Sequence, residues 1–160
     1  MMFQPLNAKV EKPNYDFSLE TFNDFQPQKN INDLRAKHGS PLEMNVVNSF
    51  KTQKFNVTHI QYKFPVLVQE RDGVIHDFFA RLPSYFLHDL FLQSLVNRLG
   101  KQNSYKKSAE EAYYTWEANN LRHVYSAACT ITCFPVFYSV APLETKLPTL
   151  LEQMKQENQK

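Results

Sequence analysis

Two His-Asp dipeptides, His76-Asp77 and His88-Asp89, and two cysteines four positions apart, Cys129 and Cys133, are the side chains here best equipped for chemistry. An imidazole beside a carboxylate can act as an oriented base near neutral pH. Two thiols close in sequence can form a disulfide, bind a metal or exchange electrons. Which of these is open to them depends on the elements that hold them.

FNVTHIQYKFPVLVQ (55–69) alternates, with Thr58, Ile60, Tyr62, Phe64, Val66 and Val68 on one side and His59, Gln61 and Lys63 on the other. This period of two predicts one strand, at an edge or bulged at Pro65, whose nitrogen has no proton to donate. ERDG (70–73) predicts a turn, and VIHDFFARL (74–82) the returning strand of a hairpin. His59 and His76 are then expected to face each other across that hairpin. A metal site there would need Glu70 or Asp77 as a further ligand, and an exposed polar pair is the plainer outcome.

PSYFLHDLFLQSLVNRLG (83–100) predicts an amphipathic helix over 84–99, capped by Ser84 and stopped by Gly100. His88 falls in its apolar arc with Leu95 and Leu99, facing the sheet. It is expected to be either a boundary imidazole bonded to a backbone carbonyl or a pH-responsive catalytic base. A His-Asp pair on a helix resembles the metal-dependent phosphohydrolases named for that pair. Here no aspartate follows Asp89 and half the chain reads as strand, so the pattern is not met.

HVYSAACTITCFPVFYSV (123–140) is rich in β-branched and aromatic residues and predicts a single long strand from Leu121 to Val140, bent or bulged at Pro135. On a regular strand Cys129 and Cys133 share a face about 13 Å apart. A disulfide needs Cα atoms roughly 4.4–6.8 Å apart. The expectation is two small apolar residues in a core with Tyr125, Ala127 and Ile131, and no cofactor or metal.

Upstream, SAEE (108–111) matches a capping box with Glu110 and Glu111 at a helix start, whereas AYYTWEANNLRHV predicts two strands around Asn119-Asn120. NINDLRAKHG (30–39) predicts a short helix, and LPTLLEQMKQ another, with Pro148 in its first turn and an apolar stripe of Leu147, Leu150, Leu151 and Met154. Residues 1–27 show no periodicity and read as an extended N-terminal arm preceding a single domain over 28–158. Its Phe17, Phe22 and Phe25 are candidate interaction residues that either fold back or dock on a partner. The fold expected is α+β: an antiparallel sheet built from two hairpins with helices packed on one face.

Composition narrows the function. At 42% hydrophobic and 14% aromatic residues the chain is globular, and three glycines leave no material for a Gly-rich phosphate cradle. A net charge of +2, with only Arg98, Lys101, Lys106 and Lys107 clustered, does not suit nucleic acid. No apolar run reaches the ~18–20 residues of a membrane span. MMFQPLNAKVEKPNYDF lacks a signal-peptide pattern, which points to the cytoplasm for the chain as it stands, or to the periplasm or secretion if a signal peptide has been removed. The first functional expectation is a non-catalytic protein–protein interaction or assembly module, self-association included. The second is an apolar-ligand domain between sheet and helix 84–99, lined by Phe78, Phe79, Tyr113, Trp116, Phe134 and Phe137. The third is a hydrolase-like enzyme using His59, His76 or His88.

Overall fold

The computed structural model describes residues 17–47, 49–59, 62–146 and 148–158. Eight strands are found among them: β1 Leu42–Val47, β2 Phe50–His59, β3 Tyr62–Arg71, β4 Val74–Arg81, β5 Ser104–Ser108, β6 Glu111–Ala118, β7 Leu121–Cys129 and β8 Cys133–Pro142. The helices are α1 Phe17–Glu20, α2 Ile31–His38, α3 His88–Leu99 and α4 Leu150–Asn158. The fold is α+β, and every strand pairing is antiparallel, in the order β1-β2-β3-β4-β8-β7-β6-β5.

Two four-stranded meanders, β1–β4 and β5–β8, meet where β4 pairs with β8, in place of the two hairpins expected. Both tight turns read from the sequence are present. Asp72-Gly73 (φ 54° and 83°) and Asn119-Asn120 (φ 54° and 62°) adopt the paired positive φ that lets a two-residue turn match strand twist.

Two predicted strands are each a hairpin. In the first, the chain reverses between His59 and Tyr62, which are paired in register. Buried apolar positions are odd before that reversal (Phe55, Val57) and even after it (Phe64, Val66, Val68). In the second, it reverses at Thr130-Ile131-Thr132, and Cys129 lies directly across from Cys133. Their Cα atoms are 4.1 Å apart and the sulfurs are joined, which corrects the reading of two separate core thiols. Ile131, expected in the core, stands at the hairpin tip fully exposed. The bulge at Pro135 is present, since the β7–β8 register shifts between Ser126 and Ala127 opposite it. The capping box at 108–111 does not start a helix either. Ala109 and Glu110 make the β5–β6 turn, and Glu111 begins β6.

The main core lies between the sheet and α1–α3. Residues 17–27 hold α1 and a 3-10 turn rather than an extended arm, and Phe22 and Phe25 fold back, fully buried in that core, instead of standing free for a partner. Phe22 stacks on Phe78 and meets Phe91 and Tyr138 edge-on, with ring centres 5.5–6.2 Å apart. The side chain of Phe17, and residues 1–16, lie outside the described residues. α2 has the expected Asn30 cap, whose Oδ1 accepts the Asn32 N–H at 2.8 Å. α3 starts at His88 rather than at Ser84, which belongs to a 3-10 turn.

Not all helices share a face. Phe78 points to the main core, so its neighbour Phe79 must point away. There Phe79 and Phe137 pack with Leu150, Leu151 and Met154 of α4 in a second cluster. α4 is capped by Thr149, whose hydroxyl accepts the Glu152 N–H at 3.2 Å, so Pro148 precedes the helix. Leu147 lies outside the described residues.

Candidate binding groove

Along β6, alternation sends Ala112 and Trp116 into the core and turns Glu111, Tyr113, Thr115 and Glu117 to the opposite face. β7 and β8 add Arg122, Val124 and Ser139 to that face, and α4 rises along one flank. A groove of about 1020 Å³ results, with strands as its floor and a helix as its wall.

A buried carboxylate holds that wall in place. Asp77 is fully buried on β4. Its Oδ2 accepts the Leu150 N–H at 2.7 Å, at the start of α4, and its Oδ1 accepts the Gln69 amide at 2.9 Å. His76 Nδ1 approaches the same Oδ1 at 2.7 Å. An ionised carboxylate only accepts, so a neutral His76 carries its proton on Nδ1. Its Nε2 then accepts from the Thr145 hydroxyl, 3.0 Å away in the loop before α4. Gln153 of α4 donates to Gln69 Oε1 at 3.1 Å and closes the network.

The groove's charges are partly committed. Arg122 meets Glu117 at 3.3 Å, and the Tyr113 hydroxyl donates to Glu111 at 2.6 Å. Burial first, and then the Glu111 contact, push Tyr113 up to about 12, so it stays a neutral donor. Lys155 of α4 lies 5.2 Å from the centre of the Tyr113 ring. Lys106 and Lys107 of β5 line the far rim, and neither has an ion pair among the described residues.

The three histidines singled out by sequence do not converge. His59 ends β2 opposite Tyr62, and nothing is described of its side chain. Asp77 pairs with Gln69, seven residues further along β3, or about 23 Å. The expected meeting of His59 with His76 therefore fails, because the unforeseen β2–β3 reversal sends His59 to the far end of the sheet. His76 sits in a β4 bulge, its ring 5.1 Å from Phe50. His88 faces the sheet on the helix-covered side, as its helical position required. Its Nδ1 lies 2.8 Å from the Tyr125 hydroxyl rather than a backbone carbonyl, its ring stacks on Tyr125, and burial lowers its pKa.

A fourth histidine, His123, repeats that arrangement with Nδ1 2.8 Å from the Tyr138 hydroxyl, and burial pulls its pKa down to about 4. Its place beside Tyr125 and Ala127 in the β7 alternation was the available signal. The groove residues were signalled by the odd-numbered polar stripe of β6, hidden by the competing helix reading. The rings expected to line an apolar pocket under helix 84–99 are divided. Phe78 and Trp116 fill the main core, Phe79 and Phe137 pack on the other face, Tyr113 lies in the groove and Phe134 is 52% exposed.

No protein-family model and no curated protein sequence matches the chain. The solved structure of a DUF4309 family protein (YjgB) from Bacillus subtilis is similar over 79% of this chain and 93% of that one, at 13% identity and a TM-score of 0.44.

Proposed function

We propose that the protein is a non-catalytic interaction module that receives a protein partner in the groove between α4 and β5–β8. One observation carries this reading: a groove of about 1020 Å³, large enough for a peptide segment, whose helical wall is pinned by a buried hydrogen-bond network. A wall fixed in advance spares the partner the entropy of ordering it. Mixed charge around a single tyrosine suits a protein surface better than an apolar metabolite. The Cys129–Cys133 disulfide supports a working place outside the reducing cytosol, since such bonds persist where thiols are oxidised.

The test is a photo-crosslinking amino acid at Thr115 on the groove floor, with Asn32 on α2 as the control position, in cells that make the protein. A discrete adduct from position 115 alone, lost when Val124→Trp fills the groove, is expected. Equal adducts from both positions would refute the reading.

A second reading, acyl transfer, is favoured by the chain Asp77–His76–Thr145, with successive contacts of 2.7 and 3.0 Å and Thr145 lining the groove. Nucleophile, base and orienting acid in mutual reach are what such chemistry requires. The Thr145 oxygen would add to an acyl carbonyl while its proton passes to His76 Nε2 and on to the leaving group, and water would release the acyl group. A fluorophosphonate probe that labels Thr145, and not Thr145→Val, would establish this reading. An unlabelled protein would leave the network as the anchor of α4.

A further inference from the structure

Resting on the groove as a protein-binding site, we infer that its partner is an acidic segment bound in extended form along β5. Three features meet there. β5 is the outer strand of the sheet, all five of its residues are exposed, and its pairing with β6 runs without a register shift. Its outward backbone groups therefore form a regular template for one more strand. The opposite edge does not, because the register of β1 shifts between Glu43 and Asn45.

The second feature is charge. Glu117 is paired with Arg122, whereas Glu111 accepts from the neutral Tyr113 hydroxyl and keeps its charge. Among the described groove residues that sets Lys106, Lys107 and Lys155 against two carboxylates, Glu111 and Glu152, an excess of one positive charge. Lysines on an edge strand ordinarily deter strand addition, because they repel a second basic edge and solvate the strand. An acidic chain reverses that sign, so the same residues select their partner.

The third is placement. Lys106 lines the groove together with Ser104 and Ser108, its neighbours on the same side of β5. A strand added to β5 presents alternate side chains about 6.6 Å apart on that side. Carboxylates at alternate positions then lie against Lys106 and reach toward Lys155 across the groove.

The test uses fluorescence anisotropy of the full chain with three labelled twelve-residue peptides: alternating Glu and Thr, the same with Lys for Glu, and the Glu peptide with alternate backbone amides methylated. Only the first is expected to bind, weakening about tenfold between 50 and 300 mM salt as screening grows. Methylation removes the ladder donors and should abolish binding. The double variant Lys106→Glu/Lys107→Glu alters exposed side chains only; circular dichroism should be unchanged while affinity falls at least about tenfold.

Equal binding of the Lys peptide, indifference to methylation or to the double variant, or competition by a single-stranded oligonucleotide would each overturn the assignment. Amide chemical shifts at Thr115 and Val124 separate the two levels. Groove shifts with a neutral or basic peptide would refute the acidic partner and leave the groove standing. Failure of every peptide to bind, together with position-115 crosslinks, would refute the β5 mode alone.

Discussion

Asp77 shows how one side chain can organise a surface. It has no exposure to water and takes three donors, from Leu150, Gln69 and His76, so its charge is compensated entirely by the protein. Asp77→Ala leaves the Leu150 N–H buried without its acceptor and the Gln69 amide with only its longer contact to the Pro148 carbonyl, and the expected loss is about 3 kcal/mol in urea unfolding. Asp77→Asn keeps one acceptor oxygen and should lose less. His123 makes a second prediction. Burial holds its folded pKa near 4, below the ordinary 6.5, so the unfolded chain binds the extra proton first. Its contribution is complete above about pH 6.5 and fades as pH drops toward 4, by up to about 3 kcal/mol. A urea midpoint measured across that window should decline with acid, and His123→Gln should flatten the decline.

At the scale of elements, both misread hairpins carry the same mark, a change in the parity of the apolar positions. Phe55 and Val57 give way to Phe64, Val66 and Val68; Tyr125, Ala127 and Cys129 give way to Tyr138 and Val140. Neither reversal is announced by Gly, Pro or Asn-Gly, the residues that usually mark one. With no turn signal, a continuous strand held the cysteines apart, although the reversal brings them face to face. Closing a loop with a sequence separation of four, the disulfide restricts the unfolded chain only modestly. The paired Cys129→Ser/Cys133→Ser variant should lose about 2 kcal/mol, or roughly 4–8 °C in melting temperature. Dithiothreitol should produce the same shift in the native protein and none in the variant.

At the scale of the molecule, the β4–β8 ladder is, among the described residues, the only strand pairing between the meanders, spanning Phe78↔Val140 to Arg81↔Phe137. Phe22 ties the halves together from above, touching Phe64 and Phe78 in the first and Phe91 and Tyr138 at the second. One shared core should melt as one unit, so calorimetry is expected to show a single transition whose van't Hoff and calorimetric enthalpies agree. Phe22→Ala removes the ring common to both halves and should cost about 4 kcal/mol. Two separated transitions in the unaltered protein would contradict this account of the core.

Local pattern alone determined the α+β class, the Asp72-Gly73 and Asn119-Asn120 turns, α2 with its Asn30 cap, and an α3 that lays its apolar side on a sheet. Each follows from spacing within a dozen residues. Tertiary structure decided the rest, because the deciding contacts join distant parts of the chain. Strand pairing across two unmarked reversals placed Cys129 against Cys133, residue parity in β4 sent Phe79 away from Phe78 and gave α4 a face of its own, and the seat for Leu150 on Asp77 lies 73 residues back along the chain.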